Sequence, residues 1–150
     1  MVFEHDFKNF PELTNKQMEH LQFVSPHKQI TEDFDATVVK VHDGDTVTLR
    51  AAFRDFDFPL RLIGIDAPEM NAGGAVARDW LKARVLGSSV RIEIDKKERT
   101  EKWGRLLGRL IHRGMDVAQE EIYLGLAPPY EERGEEIPNI NETLSLKQWL

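Results

Sequence analysis

A mainly β fold with interleaved helices, closing as a small five-stranded barrel, is what three features of this 150-residue sequence predict. Two β-rich runs flank an Asp-Gly turn signal at Asp43-Gly44. A third apolar run follows at once, so the chain opens as a meander. A single amphipathic stretch then separates these three runs from two more of β character.

Taken in order, residues 1–35 read as an extension placed on or beside the barrel. Phe3, Phe7 and Phe10 are apolar anchors in a polar context. Thr14-Asn15-Lys16-Gln17 has the form of a capping box, with Leu13 and Met18 as its hydrophobic staple, and predicts a short helix over about 14–22. His5, His20 and His27 match no compact ligand spacing and read as scattered surface residues. The run 36–41 predicts strand one. Thr46 to Leu49 alternates with period two and predicts strand two. Phe58 to Ile65 predicts strand three. Ala75 to Leu86 predicts a helix that buries Val76, Trp80 and Leu81 and stops at Gly87. Val90 to Ile94 and Leu106 to Ile111 predict strands four and five, and Val117 to Leu124 a second helix. Residues 131–150 read as an acidic linker, then a tail helix capped by Asn139 or Asn141 and ending in Leu146, Trp149 and Leu150. Five strands with a helix after the third describe an OB-fold-type barrel over 36–130, in the α+β class.

Composition narrows the chemistry. The chain has no cysteine, which excludes disulfides, thiolate zinc sites and a cysteine nucleophile. No apolar run reaches the ~20 residues of a membrane span, and the first residues lack the features of a signal peptide, so an intracellular protein is expected. The net charge of −6 argues against tight non-specific nucleic-acid binding. It is unevenly placed, however: −4 in residues 1–35, +1 in 36–130 and −3 in 131–150.

The stretch Leu60-Arg61-Leu62-Ile63-Gly64-Ile65-Asp66-Ala67-Pro68-Glu69 carries the chemistry. An arginine and two carboxylates on a buried strand call for partners at its rims, because unpaired buried charge is costly. Asp45 starts strand two and Asp66 ends strand three, and neighbouring strands bring both to one rim. Two carboxylates with carbonyls and waters suit a hard cation, Ca²⁺ or Mg²⁺. Asp45 alone would read as turn chemistry. Arg61 and Arg105 have the fork geometry that matches the oxygens of a phosphodiester, and surface ion pairing is the competing reading of each. Glu69 is placed to take a proton from an attacking water. Trp103 either stacks on a base, with Lys102 on a phosphate, or packs on the barrel wall.

Val41-His42-Asp43-Gly44-Asp45-Thr46-Val47, Leu60 through Glu69, Asp95 through Arg105 and Gly125-Leu126-Ala127 together resemble the staphylococcal nuclease (thermonuclease) family, in order, over about residues 36–130. The resemblance implies a calcium-dependent phosphodiesterase on an OB-fold that cleaves the 5′ P–O bond of DNA and RNA and leaves 3′-phosphate ends, with Mg²⁺ or Mn²⁺ as alternative ions. By resemblance, Asp45 and Asp66 are the calcium carboxylates and the Ala67 carbonyl a further ligand. Arg61 and Arg105 stabilise the phosphate, and Glu69 is the general base. Lys102, Trp103 and Tyr130 contact the nucleotide. Ala67 stands where the best-known member has threonine and Trp103 where tyrosine is usual, and the loop after Glu69 is shorter. The expected substrate is single-stranded or flexible nucleic acid, the expected state a monomer, and a protein partner is left open for either terminal segment. A non-catalytic binding module is the alternative, and the retention of all five charged site positions argues against it.

Overall fold

The structure, a computed structural model, describes residues 10–21, 28–101 and 104–130. The expected tail helix, together with Phe3, Phe7, Lys102 and Trp103, lies outside the described residues.

Among the described residues six strands and three helices follow in the order α1 (Asn15–Leu21), β1 (Phe34–Asp43), β2 (Thr46–Arg50), β3 (Phe58–Leu62), α2 (Gly74–Val85), β4 (Ser89–Glu93), β5 (Leu106–His112), β6 (Met115–Asp116) and α3 (Val117–Tyr123), with a 3-10 turn at Met70–Ala72. The sheet runs β3-β2-β1-β4-β5-β6, and β3 also pairs in parallel with β5. That extra pairing closes a five-stranded mixed barrel, an OB-fold of the α+β class, and β6 is a short hairpin partner of β5. Closure removes the free sheet edges that would otherwise invite further pairing. No helix among the described residues is long and apolar enough to cross a membrane.

The alternation predicted for the strands sets the core. Val38, Val41, Val47, Leu49, Phe58, Leu60, Leu62, Ile92, Leu106 and Leu110 fill the barrel. Gly108 lies where β5 comes closest to its neighbours: a Cβ there would stand 2.9 Å from Ile92 Cγ2 and 3.1 Å from Leu60 Cδ1. Two irregularities in the β1–β2 register, between Val38 and Lys40 and between Val41 and Asp43, bend the meander.

Two expectations are corrected. Strand three ends at Leu62 rather than Ile65, because Gly64 takes φ +89° and turns the chain. Ile65 then makes a lone bridge to Pro129. On α2 the buried stripe is Ala77, Leu81 and Val85, an i, i+4, i+8 series, while Val76 is 61% exposed. Trp80 packs against the core from its margin.

The capping box forms as written: Thr14 N–H donates to Gln17 Oε1 at 2.9 Å and Gln17 N–H to Thr14 Oγ1 at 3.1 Å. Just before it, Glu12 is wholly buried and meets two buried arginines, Arg54 Nη2 at 2.6 Å and Arg99 Nη2 at 3.0 Å. Its carboxylate also accepts Ile30 N–H at 3.0 Å. Arg99 goes on to donate to the carbonyls of Ile30 and Leu13 and to Asn15 Oδ1. Arg54 lies over the rings of Phe56 and Phe58, at 5.1 and 4.6 Å from their centroids. A buried ion group like this contributes little as a whole, yet losing one member leaves uncompensated charge in the interior. Glu12→Ala should therefore lower unfolding stability by about 3–5 kcal/mol, read from the urea midpoint at constant slope.

Candidate active site

The β1–β2 hairpin and the end of β3 meet at one rim. Across β2–β3, Thr46 faces Arg61. Leu62 N–H donates to the Asp45 carbonyl at 2.7 Å, which ties the hairpin to β3. Asp45 is buried, and its side chain is fully engaged. Oδ1 accepts the Thr46 hydroxyl at 2.8 Å, and Oδ2 accepts the Ala67 N–H at 2.8 Å. Arg61 Nη2 stands 3.3 Å from Asp45 Oδ2 and 3.6 Å from Asp66 Oδ1. One guanidinium nitrogen thus bridges the two aspartates. Arg61 Nη1 meanwhile donates to the Leu62 carbonyl at 2.7 Å.

The rest of the rim is set by backbone. Asp66 N–H donates to Pro128 O at 3.1 Å and Tyr130 N–H to Gly64 O at 2.9 Å, so segment 128–130 braces the turn that carries Asp66. The Asp66 side chain is 68% exposed and the Tyr130 residue 51% exposed, both open to an incoming ligand. Glu69 caps the 3-10 turn with its backbone: its carbonyl accepts the N–H groups of Ala72 and Gly74 at 2.8 and 2.9 Å. Its side chain is exposed and has no hydrogen-bond partner among the described residues. A Cβ at Gly74 would stand 2.3 Å from the Pro68 carbonyl, so glycine is required for the loop to turn back beneath Glu69.

Arg105 directly precedes β5. Because β3 and β5 pair Leu60 with Leu106 and Arg61 with Leu107, the seam places Arg105 two positions along from Arg61. Arg105 forms a two-point pair with Glu101, Nε to Oε2 at 2.9 Å and Nη2 to Oε1 at 2.8 Å, and its charge also acts on Asp43 and Asp45. Of the residues expected in the site, Asp45, Asp66, Ala67 and Arg61 are in direct contact. Arg105 adjoins them, and Glu69 and Tyr130 stand on the neighbouring loops. Lys102 and Trp103 fall outside the described residues.

Electrostatics divide the carboxylates. Burial would raise the Asp45 pKa, but hydrogen bonds from Asp43, Ala67 and Thr46 and the Arg61 charge outweigh it and hold Asp45 below the usual range. Burial and the carboxyl shared with Asp45 raise Asp43. The ionised Asp45, the exposed Asp66 and nearby backbone carbonyls are hard oxygen donors, and with waters they fit a divalent hard cation. Among the described residues no three His, Cys, Asp or Glu side chains converge as a ready metal cluster, so backbone and water would complete the shell.

Part of this rim lies within a recognised family domain: residues 59–148 match the model of the staphylococcal nuclease homologue family. The chain belongs to that family. The match covers β3, Asp66, Glu69 and the Arg105 loop, while the hairpin bearing Asp45 precedes it.

One residue of this family member escaped the sequence reading. Glu121 on α3 has no exposed surface, and neither carboxyl oxygen has a hydrogen-bond partner among the described residues. It lies behind the hairpin: a Cβ at Gly44 would stand 2.8 Å from Glu121 Oε1, 2.9 Å from Ala77 Cβ and 3.3 Å from Ala67 Cβ. Burial, then the charges of Asp45 and Asp43, push its pKa up to about 9, so it is a neutral acid at pH 7. The signal was present, since Glu121 follows Val117 by four and so shares its buried face. The folded chain holds this proton to pH 9, whereas the unfolded chain releases it near 4.5. Folded stability therefore falls as pH rises from 4.5 to 9. Glu121→Leu should raise Tm by several degrees at pH 8, with the gain shrinking toward pH 4.5, as measured by thermal scans across that range.

Proposed function

We propose that this protein is a metal-dependent nuclease that hydrolyses phosphodiester bonds in DNA and RNA, with single-stranded or flexible strands as the preferred substrate. The observation that carries the reading is the Arg61 guanidinium held between Asp45 and Asp66, at 3.3 and 3.6 Å, on a rim that also holds Arg105.

In this reading Asp45, Asp66 and the Ala67 carbonyl hold a divalent cation, Ca²⁺ first among the candidates. When bound, the ion supplies Lewis-acid stabilisation at the phosphate. Arg61 then turns from the two aspartates toward a phosphate oxygen. Arg105 exchanges Glu101 for another oxygen, and its fork matches the equatorial pair. Both arginines meet charge that grows as the phosphorus becomes five-coordinate. Glu69, exposed and free of side-chain partners, takes the proton of the attacking water. Water oxygen bonds to phosphorus, the bond to the 5′ oxygen breaks, the departing 5′ oxygen takes a proton from solvent, and a 3′-phosphate and a 5′-hydroxyl result. Tyr130, with Lys102 and Trp103, serves the adjoining nucleotide. An unstacked backbone reaches this rim more readily than a rigid duplex does.

The test is cleavage of a labelled single-stranded oligonucleotide with Ca²⁺ and with chelator. Cleavage should require the ion and leave 3′-phosphate ends. Arg105→Ala should lower kcat by about 10²–10³, and Glu69→Gln should also lower it sharply, each with unchanged Tm. Absence of ion-dependent cleavage, with binding retained, would favour a non-catalytic nucleic-acid-binding module.

A further inference from the structure

A second cleft opens on the other flank of Arg105. It has a volume of about 500 Å³, and its lining includes Phe10, His42, Thr48, Asp57 and Arg105. That size lies within the roughly 300–1,000 Å³ of small-ligand sites. It adjoins the rim described above, sharing Asp43, Thr46 and Arg105 with it, but Asp66, Glu69 and Tyr130 are not among its walls.

Phe10 is the unexpected member, because it comes from the segment ahead of the barrel. The three residues after it are pinned. Glu12 N–H donates to Gly104 O at 3.0 Å, which ties the segment to the turn immediately before Arg105. The Glu12 carboxylate is locked between Arg54 and Arg99. Arg99 holds the Leu13 carbonyl at 3.0 Å, and Gln29 Nε2 holds the Pro11 carbonyl at 3.3 Å. Phe10 thus lines the same cleft as Arg105 from a segment whose next three residues are held in place.

The charges of the cleft select its occupant. Asp57 is neutralised by a two-point pair with Arg50, at 2.9 Å for both contacts. Arg105 is balanced by Glu101, and Asp43 adds an acidic group. Burial, with Lys40 and Arg105 close by, lowers the pKa of His42, so its ring is neutral at pH 7. His42 Nε2 and Thr48 Oγ1 are joined at 2.7 Å. A second phosphate would meet no spare cation among these walls. A flat, uncharged group with hydrogen-bonding edges meets an aromatic face, an imidazole, hydroxyls and a carboxyl.

We propose that this cleft is a nucleobase subsite, in which Phe10 stacks on the base of the nucleotide next to the phosphate gripped by Arg105. The proposal rests on the nuclease reading for the orientation of the strand. It gives the N-terminal segment a part in substrate binding: the buried Glu12 group holds Phe10 in place, and Phe10 supplies the contact.

The experiment measures equilibrium binding of a fluorescent single-stranded oligonucleotide in chelator, so that nothing is cut. Phe10→Leu keeps the apolar bulk and removes the aromatic face. It should weaken binding roughly 5- to 150-fold, the range that stacking on one base represents, while Phe10→Trp should hold it near wild type. A set of oligonucleotides, each with one abasic position, should show a single position whose loss weakens wild type but not Phe10→Leu. This non-additivity would not arise from a merely structural role. Equal affinity of wild type and Phe10→Leu, or additive losses at every abasic position, would overturn the subsite. Should wild type cut the oligonucleotide while Phe10→Leu binds as tightly, the nuclease reading stands and the subsite falls. Should the strand bind with the expected Phe10 pattern yet resist cleavage in Ca²⁺, the subsite stands and the nuclease reading falls.

Discussion

The Asp45 carboxylate is the contact on which this rim depends. It takes the Ala67 N–H, the Thr46 hydroxyl and the Arg61 guanidinium, while its own carbonyl takes Leu62 N–H. A single residue thus joins the β1–β2 hairpin, the end of β3 and the loop toward Glu69. Buried ionised carboxylates are stable only when hydrogen-bonded and paired. Here the satisfaction of the charge and the assembly of the site are the same set of bonds.

Behind that contact lies an opposing one. Glu121 presents a carboxyl with no partner to the back of the same hairpin, where Gly44 leaves just enough room. A neutral acid in this place adds little to the field at Asp45, whereas an ionised one would compete with it for Arg61. The front of the hairpin is arranged to keep a negative charge, and the back to suppress one. The difference follows from hydrogen-bond donors: among the described residues Asp45 has several and Glu121 has none.

The sequence carried the barrel and most of the rim because both are written in local pattern. Alternation placed the strands, the Asp-Gly pair placed the hairpin, and charged residues interrupting the apolar run 60–65 marked the site. What it hid depends on long-range geometry. Nothing local told that Glu12 would reach Arg54 and Arg99 in the interior, since each alone reads as a solvated charge. Val76 was misplaced because an apolar residue one step off the helical stripe points outward. Strand three was drawn too long because its apolar run continues through Gly64, and only the positive φ reveals the turn. Glu121 was legible by its spacing from Val117, yet a glutamate on a short helix is ordinarily read as surface.

The parallel seam between β3 and β5 has a consequence for how the chain assembles. Antiparallel neighbours β1, β2 and β3 form from near contacts, but the seam joins strands separated by α2 and β4. Contacts between segments so distant in sequence bear the cost of closing a long loop, and they slow folding. Leu60, next to Arg61, meets Leu106, next to Arg105, only through that closure. An open barrel with only its meander formed would hold Asp45 and Arg61 at one rim while Arg105 and its Glu101 partner stayed apart, so the two arginines share one surface only in the closed topology.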